Sequence, residues 1–220
     1  MKVLILEEIT LDIEEIVQLL RGSSEQNKPK EEQKKPPEAM LQTIRNLIDN
    51  SMNEIQPIAI YDIFSSKDLT PKHIFQPSET TILAVCTIGP NLENKSKEEL
   101  KNDNLMNGII LDAIASHAAE VAAEETNKKI LEKEKELIIN KKYTNRFSPG
   151  YCQWLIDLGQ KLIFDLLHTD QIQVKLTPTY MMIPRKSISF AINIGSKVDQ
   201  TLGLKECKTC KKENCDYRQR

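Results

Sequence analysis

A chain of 220 residues has the length of one large domain and can bury roughly 70% of the surface its unfolded form exposes, so neither disulfides nor a metal are needed merely to fold. Lys+Arg 30 against Asp+Glu 32 leaves a formal charge of -2, which supplies no field for a polyanion and argues against nucleic-acid binding. Only 7 glycines, with no G-x-G-x-x-G and no P-loop pattern, set aside the common nucleotide folds.

The chain opens with a short apolar strand candidate, Met1 to Leu6, which turns acidic at Glu7 and Glu8 and is too short for a secretory signal. Ile13, Ile16, Val17 and Leu20 then fall on one helical face before Gly22. Ser23 to Glu38 has no aliphatic or aromatic residue, carries Pro29, Pro36 and Pro37, and alternates Lys with Glu. It cannot bury enough surface to offset the entropy of ordering, and reads as a linker or surface insertion. Met40 to Met52 regains helical spacing, and Pro57 to Phe64 alternates toward a strand.

Thr80 to Ile88 is a β-branched run closed by Gly89-Pro90 and fits a buried strand. Leu105 to Asn140 reads as one long helix or two abutting ones, since neither Gly nor Pro follows Gly108. Its first half carries Ala113, Ala115, Ala118, Ala119, Ala122 and Ala123, which allow close approach of another element, whereas Lys128 to Glu136 is nearly all charge and faces solvent. Arg146 to Gly150 is a break, Cys152 to His168 a further helix, and Ile188 to Ile194 a last strand. Strands and helices without regular βαβ spacing predict an α+β fold, with a mixed or antiparallel twisted sheet and flanking helices. The domain reading is 1–22 as strand and helix, 23–38 as linker, 39–204 as the core, and 205–220 as a cysteine-rich tail. The apolar runs fall far short of the ~20 residues of a membrane-spanning helix, and an odd count of 5 cysteines suits a reducing, cytoplasmic compartment.

The densest cue is Arg-Phe-Ser-Pro-Gly-Tyr at Arg146 to Tyr151, followed by Leu-Thr-Pro-Thr-Tyr-Met-Met-Ile-Pro-Arg-Lys-Ser-Ile-Ser at Leu176 to Ser189. In isolation the first is a turn before a helix. Together they resemble the two signatures of the S-adenosylmethionine-binding reactivation domain of cobalamin-dependent methionine synthase, in its stand-alone bacterial form. Arg146, Gly150 and Tyr151 match the first, and Leu176, Thr177, Met182, Pro184, Ser187 and Ser189 match the second, with Thr179 for a serine. The stretch Met106 to Glu120 also resembles that family. The resemblance implies an activation-domain-like fold and places Glu120, Arg146, Ser148, Pro149, Gly150, Tyr151, Tyr180 and Ser187 at the ligand. Chemically, Arg146 suits a carboxylate bidentately and Glu120 an ammonium. Gly150 supplies close backbone approach or positive φ, Pro149 stiffens the turn, and Tyr151 offers a ring face and a hydroxyl. The large enzymes add an N-terminal aspartate, for which Asp12 is the candidate here. His117 and Glu120 share a helix face, yet with 3 histidines in the chain and no second such pair, a metal is not expected there. Trp154 is expected in the core or as a lid.

The resemblance implies no base or nucleophile in the chain itself. It would be a methyltransferase component that binds S-adenosylmethionine and supports reductive methylation of cob(II)alamin, with the cobalamin carried by the cobalamin-binding domain of a methionine synthase. A reductant such as flavodoxin or ferredoxin would supply the electron. The chain has no Asp-x-His-x-x-Gly lower-ligand pattern of its own. Two other readings stand beside this one: activation of another corrinoid protein in anaerobic one-carbon metabolism, or a docking module without methyl chemistry. The tail motif Cys207-x-x-Cys210-x-x-x-x-Cys215 offers three thiolates to zinc or an iron-sulfur cluster, with Cys152, Cys86 or a second subunit as fourth ligand or the fourth position open as in a redox-active or catalytic site, or holds reduced thiols.

Overall fold

The structure, a computed structural model, describes residues 1–7, 9–21, 34–76, 78–151 and 153–200. Within these, β1 (Lys2–Ile5) leads to α1 (Ile13–Leu20), α2 (Glu38–Asp49), β2 (Ile58–Ser65), a single turn α3 (Lys72–Phe75) and β3 (Thr80–Thr87). Next come α4 (Asn91–Lys101), α5 (Leu105–Lys133), α6 (Lys135–Ile138), β4 (Lys142–Tyr143), α7 (Ile156–Leu166), the hairpin β5 (Lys175–Leu176) and β6 (Met182–Ile183), and β7 (Ser187–Gly195).

The main sheet has the order β1-β2-β3-β7-β4, and every pairing in it is antiparallel. The expected α+β class with an antiparallel sheet and flanking helices is therefore what the chain forms. The period-2 alternation of β-branched residues divides the sheet into two faces. Ala59, Tyr61, Ile82, Ala84, Cys86, Phe190, Ile192 and Ile194 point to one face and pack with Ala123 and Ile130 of α5. Ile60, Leu83, Val85 and Ala191 point to the other and meet Phe75, Phe147, Trp154, Ile163 and Ile172. The alanine-rich half of α5 extends beyond the sheet and buries Ile110, Leu111, Ile114, Ala115 and Ala118 against Ile16, Val17, Ile44, Ile88 and Leu92. Small side chains on α5 let α1, α2 and α4 come close. At Gly108 a Cβ would stand 2.5 Å from Leu100 Cγ, closer than carbon atoms can pack.

Three sequence expectations shift. The helix expected from Cys152 begins at Ile156, because Trp154 is drawn into the core and its backbone closes a turn with Tyr151. The α4 helix went unpredicted: it buries Glu93 and Ser96 beside Leu92, so apolar periodicity does not mark it. The expected linker 23–38 lies mostly outside the described residues, and Glu38 already belongs to α2. No helix of the described residues is long and apolar enough to cross a membrane.

Candidate functional site

The site is built where the irregular segment between β4 and α7 meets the solvent side of α5. Residues 144–147 run along the edge of β7: Thr144 N donates to Asn193 O at 3.0 Å, and Phe147 and Ala191 exchange backbone bonds of 3.0 and 2.8 Å. This short ladder fixes the backbone on both sides of Arg146. The flanking Phe147 is buried against Trp154, with ring centroids 5.6 Å apart, and Trp154 meets Phe75 edge-on at 5.4 Å. Trp154 is 1% exposed and belongs to the core.

With its neighbours anchored, the Arg146 side chain turns the opposite way, toward α5. Nε donates to Glu124 Oε1 at 2.8 Å and Nη2 to Glu120 Oε2 at 2.6 Å. Glu124 Oε1 also lies 2.8 Å from Nη2, so it caps the Nε–Nη2 edge of the fork. The guanidinium side chain is 17% exposed, whereas Glu120 and Glu124 are 61% and 62% exposed. A largely buried cation is thus met by two exposed carboxylates. Burial alone would lower the Arg146 pKa, but the two carboxylates outweigh it and hold the guanidinium above its ordinary value.

Past Arg146 the loop closes tightly. Gly150 has φ +97, which its lack of Cβ permits. Its N–H donates to Trp154 O at 2.7 Å, while Tyr151 N donates to Ser148 O at 3.1 Å. Pro149 is buried, Ser148 is half-buried, and Gly150 and Tyr151 are exposed. The positive φ expected of Gly150 is present, and the loop presents backbone at the surface beside the Arg146 cluster.

The second motif is held differently. Arg185 N donates to Glu93 Oε2 at 2.9 Å, Lys186 Nζ pairs with Asp112 Oδ1 at 2.8 Å and donates to Ser116 Oγ at 2.8 Å. Ser187 is buried, its hydroxyl donating to Thr87 Oγ1 at 2.9 Å and Pro184 O at 2.7 Å. The motif fastens the entry to β7 onto α4, α5 and β3. Ser189 Oγ likewise donates to Gln160 Oε1 of α7 at 3.0 Å. Tyr180 closes the β5–β6 hairpin at φ +62, its N–H on Thr177 O at 2.9 Å.

Asp112, Ser116, Glu120 and Glu124 are spaced four apart, so one stripe of α5 carries both anchor points. Glu124 is the residue that motif reading missed; its i+4 relation to Glu120 was the available signal. Asp12, the candidate N-terminal aspartate, caps α1 by accepting from Glu14 N at 2.7 Å. His117 Nε2 accepts from Asp12 N at 2.9 Å, so it ties the start of α1 to α5. Among the described residues no group of His, Cys, Asp and Glu is arranged to hold a metal, and Cys207, Cys210 and Cys215 lie outside them.

The family model for the vitamin B12 dependent methionine synthase activation domain matches residues 2–220. A solved structure, the crystal structure of the MetH reactivation domain bound to AdoHcy, aligns with a TM-score of 0.61 at 14% identity, over 90% of this chain and 80% of that one. That likeness is one of fold. No curated protein matches the sequence.

Proposed function

We propose, since the chain belongs to the activation-domain family of vitamin B12 dependent methionine synthase, that it binds S-adenosylmethionine at the Arg146 loop and supports reductive methylation of cob(II)alamin carried by a methionine synthase partner. The observation that carries this is the pairing of one anchored guanidinium with exposed carboxylates beside a Gly150 loop of positive φ. An amino-acid zwitterion needs that set: a cation fork for its carboxylate, an anion for its ammonium, and approachable backbone. Arg146 takes the carboxylate and Glu120 the ammonium, while Ser148, Pro149, Gly150 and Tyr151 form the rest of the ligand-facing loop. Ser187 acts from behind by holding the entry to β7, and Tyr180 closes the β5–β6 hairpin.

S-adenosylmethionine supplies an activated methyl group. The chain's part is to orient that sulfonium methyl toward a corrinoid presented by its partner, so alignment is its contribution to the rate. A donor such as flavodoxin or ferredoxin would provide the electron, and transfer of the methyl group to the reduced cobalt, with S-adenosylhomocysteine leaving, would draw an unfavourable reduction forward. Exposed Tyr151, Leu155, Ile156 and Leu158 give the loop and the start of α7 an apolar rim on which a partner could close.

For the tail, Cys207, Cys210 and Cys215 remain proposed ligands to zinc or an iron-sulfur cluster. Cys86 is buried among the core side chains of the sheet, and burial pushes its thiol up to about 12. Metal analysis of anaerobically purified protein separates the cases, and one equivalent of zinc without iron would exclude an electron relay.

The test of the main reading is calorimetric titration with S-adenosylmethionine, wild type beside Arg146→Ala. Saturable binding that the substitution abolishes is expected. Wild-type binding that Arg146→Ala leaves unchanged removes the site from the Arg146 loop.

A further inference from the structure

Arg146 cannot keep both of its internal carboxylates and also receive the carboxylate of a ligand through the Nε–Nη2 edge. Glu124 Oε1 occupies that edge, at 2.8 Å from each nitrogen, and this is one of the two edges, with Nη1–Nη2, on which a planar guanidinium takes a carboxylate with two parallel bonds. Glu120 Oε2 reaches Nη2 alone, at 2.6 Å. The two acids therefore stand differently toward the arginine although they are neighbours on one helix stripe.

We propose that Glu124 is a stand-in for the ligand's carboxylate: it holds Arg146 in the free protein and is displaced from the Nε–Nη2 edge when an α-amino acid moiety binds, while Glu120 stays to meet the ammonium. This rests on the reading of the Arg146 loop as the S-adenosylmethionine site. The exposures fit the exchange. Glu124 is 62% exposed and Arg146 17%, so the carboxylate that leaves rehydrates at little cost and the cation that stays is already positioned. One carboxylate replaces another on the guanidinium, so the charge at the buried cation is unchanged between free and bound states. In the free protein Glu124 keeps the guanidinium aimed at α5, which preorganises the fork for its ligand. It also lowers the apparent affinity, because only the fraction of molecules with a vacated edge is competent to bind. The site is thereby selective for ligands whose carboxylate outcompetes Glu124, and a molecule without that carboxylate gains nothing from the exchange.

The experiment is calorimetric titration of the full chain with S-adenosylmethionine and with its decarboxylated analogue, using wild type, Glu124→Gln and Glu120→Gln. Glutamine keeps the shape of each side chain on an exposed helix surface, and thermal melts check that each variant is folded. Removing the competing charge should tighten S-adenosylmethionine binding on the order of fivefold in Glu124→Gln, equivalent to about 1 kcal/mol. The decarboxylated analogue should show no such gain, and Glu120→Gln should bind S-adenosylmethionine more weakly. If wild type binds and Glu124→Gln binds equally or less tightly, the exchange is refuted while the site stands. If no form binds, the reading of the site fails and the exchange falls with it.

Discussion

Replacing Gly150 by alanine isolates how much of the Arg146 loop depends on backbone geometry alone. Gly150 sits at φ +97, and the nearest atom to an added Cβ would be Ile156 Cδ1 at 4.0 Å. There is room for a methyl group, so the penalty is conformational and not steric. Forcing an L-residue into positive φ costs about 1–2 kcal/mol. For a domain of this size each kcal/mol shifts the melting temperature by about 2–4 °C, so a loss of about 2–8 °C is expected. Gly150→Asn should lose less, because asparagine tolerates positive φ. Gly159 provides the steric counterpart. A Cβ there would lie 2.6 Å from Pro149 Cβ and 2.8 Å from Trp154 Cε2, so the ~1 kcal/mol helix-propensity gain of alanine is overridden by an overpacking cost of about 1–3 kcal/mol. Urea denaturation and thermal melts of the three variants give the comparison. An alanine at 150 that melts with wild type would show that the loop does not hold its positive φ in solution, and the account of an exposed, preformed backbone platform would fall.

Three further outcomes follow from the wider structure. Glu134 accepts from Tyr61 Oη at 2.6 Å and pairs with Lys2; burial acts to raise its pKa, but the Lys2 and Tyr61 contacts outweigh it and hold the carboxyl below its usual value. A lowered folded-state pKa stabilises above the unfolded value of about 4.3 and is lost as pH falls through the folded one, so Glu134→Gln should be less stable than wild type at neutral pH, with the difference fading in acid; a difference that persists unchanged in acid would refute the linkage. Cys86, buried with its thiol pushed up to about 12, should resist alkylation in the native protein and react only on unfolding, as peptide mass analysis would show; labelling under native conditions would contradict its burial. Lys186→Met should destabilise by about 1 kcal/mol in urea titration, below the 3–5 of a fully buried pair, because Asp112 is 47% exposed and can rehydrate; unchanged stability would mean that the Lys186 anchor carries no load.

The central strands were legible from their β-branched apolar runs and their ends: TTILAVCTI places Ile82, Ala84 and Cys86 on one face and Leu83 and Val85 on the other, and Gly89 marks its end with φ +80, whereas the two-residue β4 carries no such run. The alanine stripe of α5 was likewise legible, since a close-packed helix face must be small. The start of α7 was not, because the Trp154 segment continues the helical apolar spacing while its hydrogen bonds run back to Gly150 and Tyr151, contacts that depend on where the core lies. Arg146, Glu120 and Gly150 could be picked out as candidates through the resemblance of their segments to the activation-domain family, not from residue chemistry alone. The sharing of Arg146 with Glu124 could not: the i+4 relation puts Glu124 on the stripe of Glu120, but only the β4–α7 segment laid beside the helix brings the arginine to it. The buried fastening of Ser187 was hidden likewise: its partner Thr87 is 100 positions away.

That separation has a bearing on how the polypeptide comes to be made. The strand next to β3 in the middle of the sheet is β7, synthesised after nearly everything else described here, so a nascent chain must emerge almost to Gly195 before β3 finds its second neighbour. Until then Ile82 to Cys86 present an unpaired apolar edge, the kind of surface that chaperones cover and that aggregates recruit. Ribosome stalling or proteolysis that removes β7 should therefore leave β3 without its second neighbour and the sheet incomplete.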